Sequence, residues 1–306
     1  MEGKELLTAS RMGAMLTCPR KHYWKYEVGL GATSEGAALK FGSAWHAAME
    51  ARWKGAQPET CFALALEGRN FDEITAATLS GLLFAYCDHY RNDSGLISEI
   101  HAEVEFETPI DGSRTFVAAG KLDGLAVLKD GRQALVEHKT AGIDIGPDSD
   151  YWLRLRADSQ IFQYVKAARD MDWNVQTVIY DVTRKPAIRQ KKDETPEQFG
   201  ERLTTDALER PEFYFARREV PVLDQDLEEF EYNRVQTSRM ILDRRRQQKE
   251  DRPERAWPRH VNGMICPFCE YRNFCLQNIQ VDIKNPPIGF SIKKIHSELT
   301  GKEGAE

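Results

Sequence analysis

No stretch of this sequence is apolar for long enough to cross a membrane, and its opening, MEGKELLTAS, has no signal-peptide core. These two absences set the expectation of a cytoplasmic protein with no membrane partner. There is no Gly-rich phosphate loop and no regular alternation of strand and helix, which argues against a doubly wound nucleotide-binding sheet. Internal repeats and low-complexity tracts are missing too. So is any excess of positive charge: 42 Lys and Arg against 48 Asp and Glu leave a net −6. That excludes a chain that is basic throughout. It does not exclude a local basic groove, and a carboxylate-built metal site would itself add negative charge. Cysteine is sparse, at six residues. Without a secretion signal, these are expected as thiols, metal ligands or catalytic groups rather than disulfides.

What remains is ordinary globular composition. The chain has 306 residues, 41% of them hydrophobic and 29% charged, enough for one elaborated domain or two small ones. Periodicity predicts helices at 8–17, Ala37–Trp53, Pro58–Leu66 and Ile74–His89. A meander of strands follows at Leu96–Pro109, Thr115–Leu128 and Gln133–Lys139. Beyond it come a helix over Asp150–Ala168, a strand at Val175–Thr183, a small helix at Pro196–Leu208, a strand at Glu212–Val220 and a long helix over Asp224–Lys249. The order suits an α/β core with a central mixed sheet flanked by helices. The expected partition is a helical region over 1–95, a core over 96–220, a helix and cysteine segment over 221–280, and a tail over 281–306 whose end, GKEGAE, is expected to be mobile.

The chemistry is concentrated in Gly120–Thr140, GKLDGLAVLKDGRQALVEHKT. Two strands flank a turn at Lys129-Asp130-Gly131. In the second strand Leu135, Glu137 and Lys139 share one face, and Ala134, Val136 and His138 the other, because side chains repeat every two residues. Asp123, on the preceding strand, reaches the same place as Glu137 and Lys139 if the hairpin pairs there. Two carboxylates with a cation beside them are what metal-dependent phosphodiester hydrolysis needs. Hard oxygens hold Mg²⁺ or Mn²⁺, while the cation orients water and offsets developing charge.

Three further constellations surround that hairpin. His46 sits in FGSAWHAAME, where small neighbours allow its helix to pack closely on the sheet and bring an imidazole to the carboxylates. Gln160 and Tyr164 lie four residues apart, on one face of the helix after the Glu-x-Lys strand. Cys266, Cys269 and Cys275 are three thiols in ten positions, and Cys18 is the fourth cysteine outside an apolar helix. Four thiolates suit a [4Fe–4S] cluster or tetrahedral zinc. Zinc more often takes two close pairs, whereas here one ligand is roughly 250 residues from the rest. Cys61 and Cys87 read as core thiols. The basic–aromatic run Arg20–Tyr26 suits either single-stranded DNA or a partly buried amphipathic helix, and Arg244–Arg246 reads as a solvated helix face.

Taken together, Asp123, Glu137-x-Lys139, Gln160-x-x-x-Tyr164, His46 and the one-plus-three cysteines resemble the iron–sulfur branch of the PD-(D/E)XK nucleases. This RecB/AddB-like group includes CRISPR-associated adaptation nucleases and phage-borne relatives. The likeness runs from about Thr8 to Cys275, with Leu122 standing where the motif name has proline. It implies a restriction-endonuclease-like core and a divalent ion, Mg²⁺ or Mn²⁺, held by His46, Asp123, Glu137 and the backbone carbonyl of His138. Lys139 would position the water, and Gln160 with Tyr164 would line the cleft. Cys18, Cys266, Cys269 and Cys275 would hold a structural [4Fe–4S] cluster. The expected activity is exonucleolytic cleavage of single-stranded or frayed DNA in repair, recombination or CRISPR-type processing. The competing expectations are a noncatalytic DNA-binding module docked to a helicase, integrase or recombination factor, and a zinc-stapled protein of unrelated function.

Overall fold

The computed structural model describes residues 3–91, 96–296 and 299, and the expectation for GKEGAE lies outside them. The chain begins with a short strand β1 (Glu5–Leu7), which sequence patterning does not announce. Helix α1 (Ala9–Thr17) follows, capped by the Thr8 side chain on the Arg11 amide. After Cys18 come a single turn α2 (Pro19–His22), a π-helical turn over Tyr23–Val28 and strand β2 (Leu30–Ala32). The left-handed Gly29 (φ +78°) ends the π turn, a conformation that glycine adopts without steric cost.

Helices α3 (Ala37–Trp53), α4 (Pro58–Leu66) and α5 (Glu73–His89) then bury Trp45, Met49, Leu79, Leu82 and Tyr86 in one core. Strands β3 (Ile97–Pro109), β4 (Phe116–Leu128) and β5 (Gln133–Ala141) form the expected meander. The single helix expected over Asp150–Ala168 is instead two, α6 (Tyr151–Arg156) and α7 (Ser159–Asp170). The break has a local cause: the Asp158 side chain accepts the Gln160 N–H and starts a new helix there. Strand β6 (Val175–Arg184) returns parallel to β5, and the two short helices supply the crossover that parallel pairing demands. Helix α8 (Pro196–Glu209) opens on a Thr195–Gln198 capping box. The strand expected at Glu212 begins later, after the turn α9 (Pro211–Tyr214), as β7 (Phe215–Pro221), antiparallel to β6.

The chain closes with α10 (Asp224–Glu250), α11 (Pro253–Ala256), a 3₁₀ turn at Cys266–Phe268, α12 (Arg272–Leu276) and β8 (Phe290–Ile292), which pairs with β2. The fold is thus α/β, with a mixed sheet ordered β1-β4-β5-β6-β7 and β3 paired to β4. Its residues divide into two units, one made of 1–35, 105–120 and 225–306, the other of 36–104 and 121–224. Strands β3 and β4 therefore pass from one unit to the other along their own length.

In the first unit one expectation is corrected and one pair of alternatives is decided. Arg245 is not simply solvated: its guanidinium bonds both Glu5 (2.7 and 2.8 Å) and Glu27 (2.8 Å), and Arg11 joins the same carboxylates. The rings of Trp24 and Tyr26 are buried, Trp24 against Tyr271 and Phe274, so they are not a platform on which bases could stack. Cys61 is buried and Cys87 packs against the same helical core, as expected. Among the described residues, no helix is long and apolar enough to cross a membrane.

Helix α5 meets α8 through glycine. A Cβ on Gly81 would lie 2.7 Å from the Gly200 carbonyl oxygen and 3.1 Å from Leu203. Gly81→Ala is therefore expected to destabilise the protein by about 1–3 kcal/mol through overpacking, read as a lowered urea midpoint with an unchanged slope.

Candidate active site

The strands β4 and β5 pair antiparallel through Gly124↔Val136. One residue further on, Asp123 and Glu137 face each other on one side of the sheet. The ladder is completed there by a side chain, since Asp123 Oδ2 accepts the His138 backbone N–H at 2.8 Å. Asp123 Oδ1 lies 3.1 Å from His46 Nδ1, delivered by α3. The segment of small residues around His46 permits that approach. Burial alone would lift the Asp123 carboxyl, but the His46 charge and hydrogen bond outweigh it and hold the group below the usual range. His46 is held up in turn: burial disfavours its charged form, and Asp123, then Glu137 and Glu103, more than reverse that.

Glu137 is almost wholly buried. Its Oε1 lies 2.7 Å from Lys139 Nζ, while Oε2 is buried with no hydrogen-bond partner. Burial, reinforced by the neighbouring Asp123 charge, pushes its carboxyl up to about 7. Lys139 has its pKa raised: burial opposes its charge, but Glu137 and Asp158 outweigh that. Its Nζ also reaches Asp158 Oδ2 and Gln160 Oε1, each at 3.4 Å. Gln160 then donates to the Tyr164 hydroxyl at 2.6 Å, so the helical spacing of this pair brings the two together beside Lys139. Tyr164 is a phenol with a raised pKa, chiefly through burial.

His138 meets Asp123 by its backbone alone. Its ring points to the opposite face, where Trp53 Nε1 donates to Nε2 at 2.8 Å and Nδ1 faces Asp181 Oδ2 at 3.2 Å. An indole N–H can only donate, so Nε2 must accept and the proton sits on Nδ1. Asp181 is also bonded by Tyr86 and by Arg217 at 3.1 Å. In register, His138, Asp181 and Arg217 lie side by side across β5, β6 and β7. Burial would raise the Asp181 carboxyl, but Arg217 and His138 hold it well below the ordinary range.

Sequence reasoning missed Glu103, Asp158, Lys121 and Asp181. Glu103 is the most consequential. Strict alternation along β3 would turn it outward with Glu105 and Glu107, both exposed. Its backbone is left-handed instead (φ +55°), and its carboxylate pairs with Lys121. His46, Glu103 and Asp123 each offer a ligand atom within 4.8 Å of the others. The tandem acids of β3 were visible in sequence, but the irregularity that turns one inward was not. Asp158 had a readable signal, as a helix N-cap just before Ser159-Gln160.

In the other unit, Cys18, Cys266, Cys269 and Cys275 all line one cavity together with Arg20, Lys21 and Arg259. The His260 N–H points at Cys18 Sγ (3.4 Å) and the Asn262 N–H at Cys266 Sγ (3.3 Å). Among the described residues, no three of these sulfurs approach one another as closely as the His46, Glu103 and Asp123 ligand atoms do.

The sequence pattern of the PD-(D/E)XK nuclease superfamily matches residues 6–276. No curated protein matches the chain. Among solved structures, a putative exonuclease from Eubacterium rectale is similar at 12% identity and a TM-score of 0.52, with 99% of this chain and 95% of that one covered. A phage related exonuclease from Haemophilus somnus is also 12% identical, at a TM-score of 0.33 with 76% and 92% covered.

The Asp181 cluster yields a stability expectation. A carboxyl depressed in the folded state stabilises the protein fully above its unfolded value of ~3.9, and that contribution is lost as pH falls below it. Asp181→Asn should cost about 3–5 kcal/mol at pH 7, since it takes the neutralising carboxylate from the part-buried Arg217 guanidinium. Urea titrations at pH 7 and pH 3 should show the gap between wild type and variant narrowing at the lower pH.

Proposed function

The chain belongs to the PD-(D/E)XK nuclease superfamily, and from that premise we propose that it is a Mg²⁺- or Mn²⁺-dependent deoxyribonuclease. The observation that carries this reading is the convergence of His46, Asp123, Glu137 and Lys139 at one place on the sheet. The donors suit a hard divalent cation: two carboxylates, an imidazole and the His138 carbonyl. The unpaired, buried Glu137 Oε2 fits such an ion as well. A bound ion would supply Lewis-acid polarisation of the scissile phosphate and a more acidic water.

The protein's own groups do the rest. Asp123 is fixed at both oxygens, by His46 and by the His138 amide, so its direction is set before substrate arrives. Lys139 neutralises Glu137 and, anchored by Asp158 and Gln160, holds an ammonium where it can orient the attacking water and face the phosphate. Gln160 and Tyr164 present an amide and a phenol to the same cleft for the phosphate or sugar. We extend the reading to exonucleolytic action on single-stranded or frayed ends, within the RecB/AddB-like group that includes CRISPR-associated and phage-borne enzymes. The support is the resemblance in motif order; the buried rings of Trp24 and Tyr26 lend it none.

For the four thiols we propose a structural [4Fe–4S] cluster. They line one cavity, with backbone N–H groups directed at two of the sulfurs. What favours iron–sulfur over zinc is the resemblance in motif order and the split of one ligand from the other three.

Glu137→Ala and Lys139→Ala should each lower cleavage by at least about 100-fold while leaving the folded far-UV spectrum intact. End-labelled single- and double-stranded DNA, with and without Mn²⁺, measures this, and undiminished activity in both variants would end the assignment. Cys18→Ser should lose visible absorbance and thermal stability together in anaerobically purified protein. A stable, colourless, zinc-containing wild type would show that the staple is not iron–sulfur.

A further inference from the structure

Glu103 stands outside the set of residues assigned above, yet its surroundings are those of a ligand. Its side chain is only 8% exposed. Its oxygen, one of Asp123 and a ring nitrogen of His46 fall within 4.8 Å of one another, a span that one cation with bonds of ~2.1 Å bridges with small movements. The cluster is not built of acids alone, since an imidazole is part of it. A separate observation points the same way: Glu137, opposite Asp123 across the β4–β5 pair, has its Oε2 buried with no hydrogen-bond partner.

The cation now at Glu103 is Lys121. It lies two residues before Asp123 on β4, hence on the same face, and its side chain is 40% exposed. Glu50, one turn beyond His46 on α3, adds a further negative charge felt by both Lys121 and Glu103. Lys139 cannot serve this end of the cleft, being tied to Glu137 and Asp158. A long, half-exposed lysine can swing to solvent at little cost, whereas the buried carboxylate cannot follow it and needs a replacement charge.

We propose that Glu103 is a ligand of the divalent ion together with His46 and Asp123, and that Lys121 is the counter-cation exchanged for that ion. This rests on the nuclease reading. The exchange makes Lys121 a competitor: each time the ion leaves, the ammonium returns and keeps Glu103 neutralised, so the fold tolerates the ion-free state. The arrangement sets metal affinity as a difference between two cations for one carboxylate rather than as a sum of ligands.

Calorimetric titration of the full chain with Mn²⁺ alone, without DNA, tests this. Glu103→Gln should weaken Mn²⁺ binding at least about tenfold, and Lys121→Gln should tighten it about threefold or more. The opposite directions keep the test valid should one variant fold poorly. Unchanged affinity in Glu103→Gln, or affinity no tighter than wild type in Lys121→Gln, overturns the proposal. If Asp123→Asn abolishes binding while those two variants titrate as wild type, Glu103 is only the partner of Lys121 and the nuclease reading stands. A wild type that takes up no Mn²⁺ removes both.

Discussion

Two largely buried carboxylates facing each other across an antiparallel strand pair repel strongly. Asp123 and Glu137 are in that position, and much of their surroundings can be understood as an answer to it. Lys139 neutralises Glu137 from one side and His46 neutralises Asp123 from the other. The two acids respond unequally. Asp123, beside the His46 ring and a backbone amide, is held below the usual carboxylate range, while Glu137 rises to about 7 because burial and the charge opposite both act against it. A divalent cation between them would remove that inequality, so the same repulsion that strains the site favours the ion.

Holding like charges together requires a rigid frame, which residue 138 helps to provide. Its amide belongs to the cleft and its ring to the opposite face, where Trp53, Asp181 and Arg217 fix it. Trp53 lies two turns after His46 on α3, so one helix positions the imidazole at one end and clamps the β5 histidine at the other. The geometry of the cleft therefore depends on hydrogen bonds that never touch it.

Much of this was legible in the residues. Alternation over Gln133–Lys139 separates Glu137 and Lys139 from His138, and a four-residue spacing puts Gln160 beside Tyr164, because regular elements repeat with fixed periods. The mixed sheet and most helix limits followed from the same patterns. What was not legible is where the backbone leaves its period, or where a charge finds a distant partner. Glu103 faces inward through one left-handed residue inside a strand. Arg245 looks like part of a solvated triplet until Glu5 and Glu27 are brought to it from more than two hundred residues away. The aromatic run at Tyr23–Tyr26 is compatible with stacking on bases or with a core, and only the positions of Tyr271 and Phe274 decide for the core.

The passage of β3 and β4 through both units has a consequence for how the protein can be divided. The boundary on β4 falls between Gly120 and Lys121, immediately before the segment that carries Asp123, and the boundary on β3 falls directly after Val104, one residue past Glu103. Severing the thiol-bearing portion would thus free two strand ends beside the acids themselves and leave their directions unfixed.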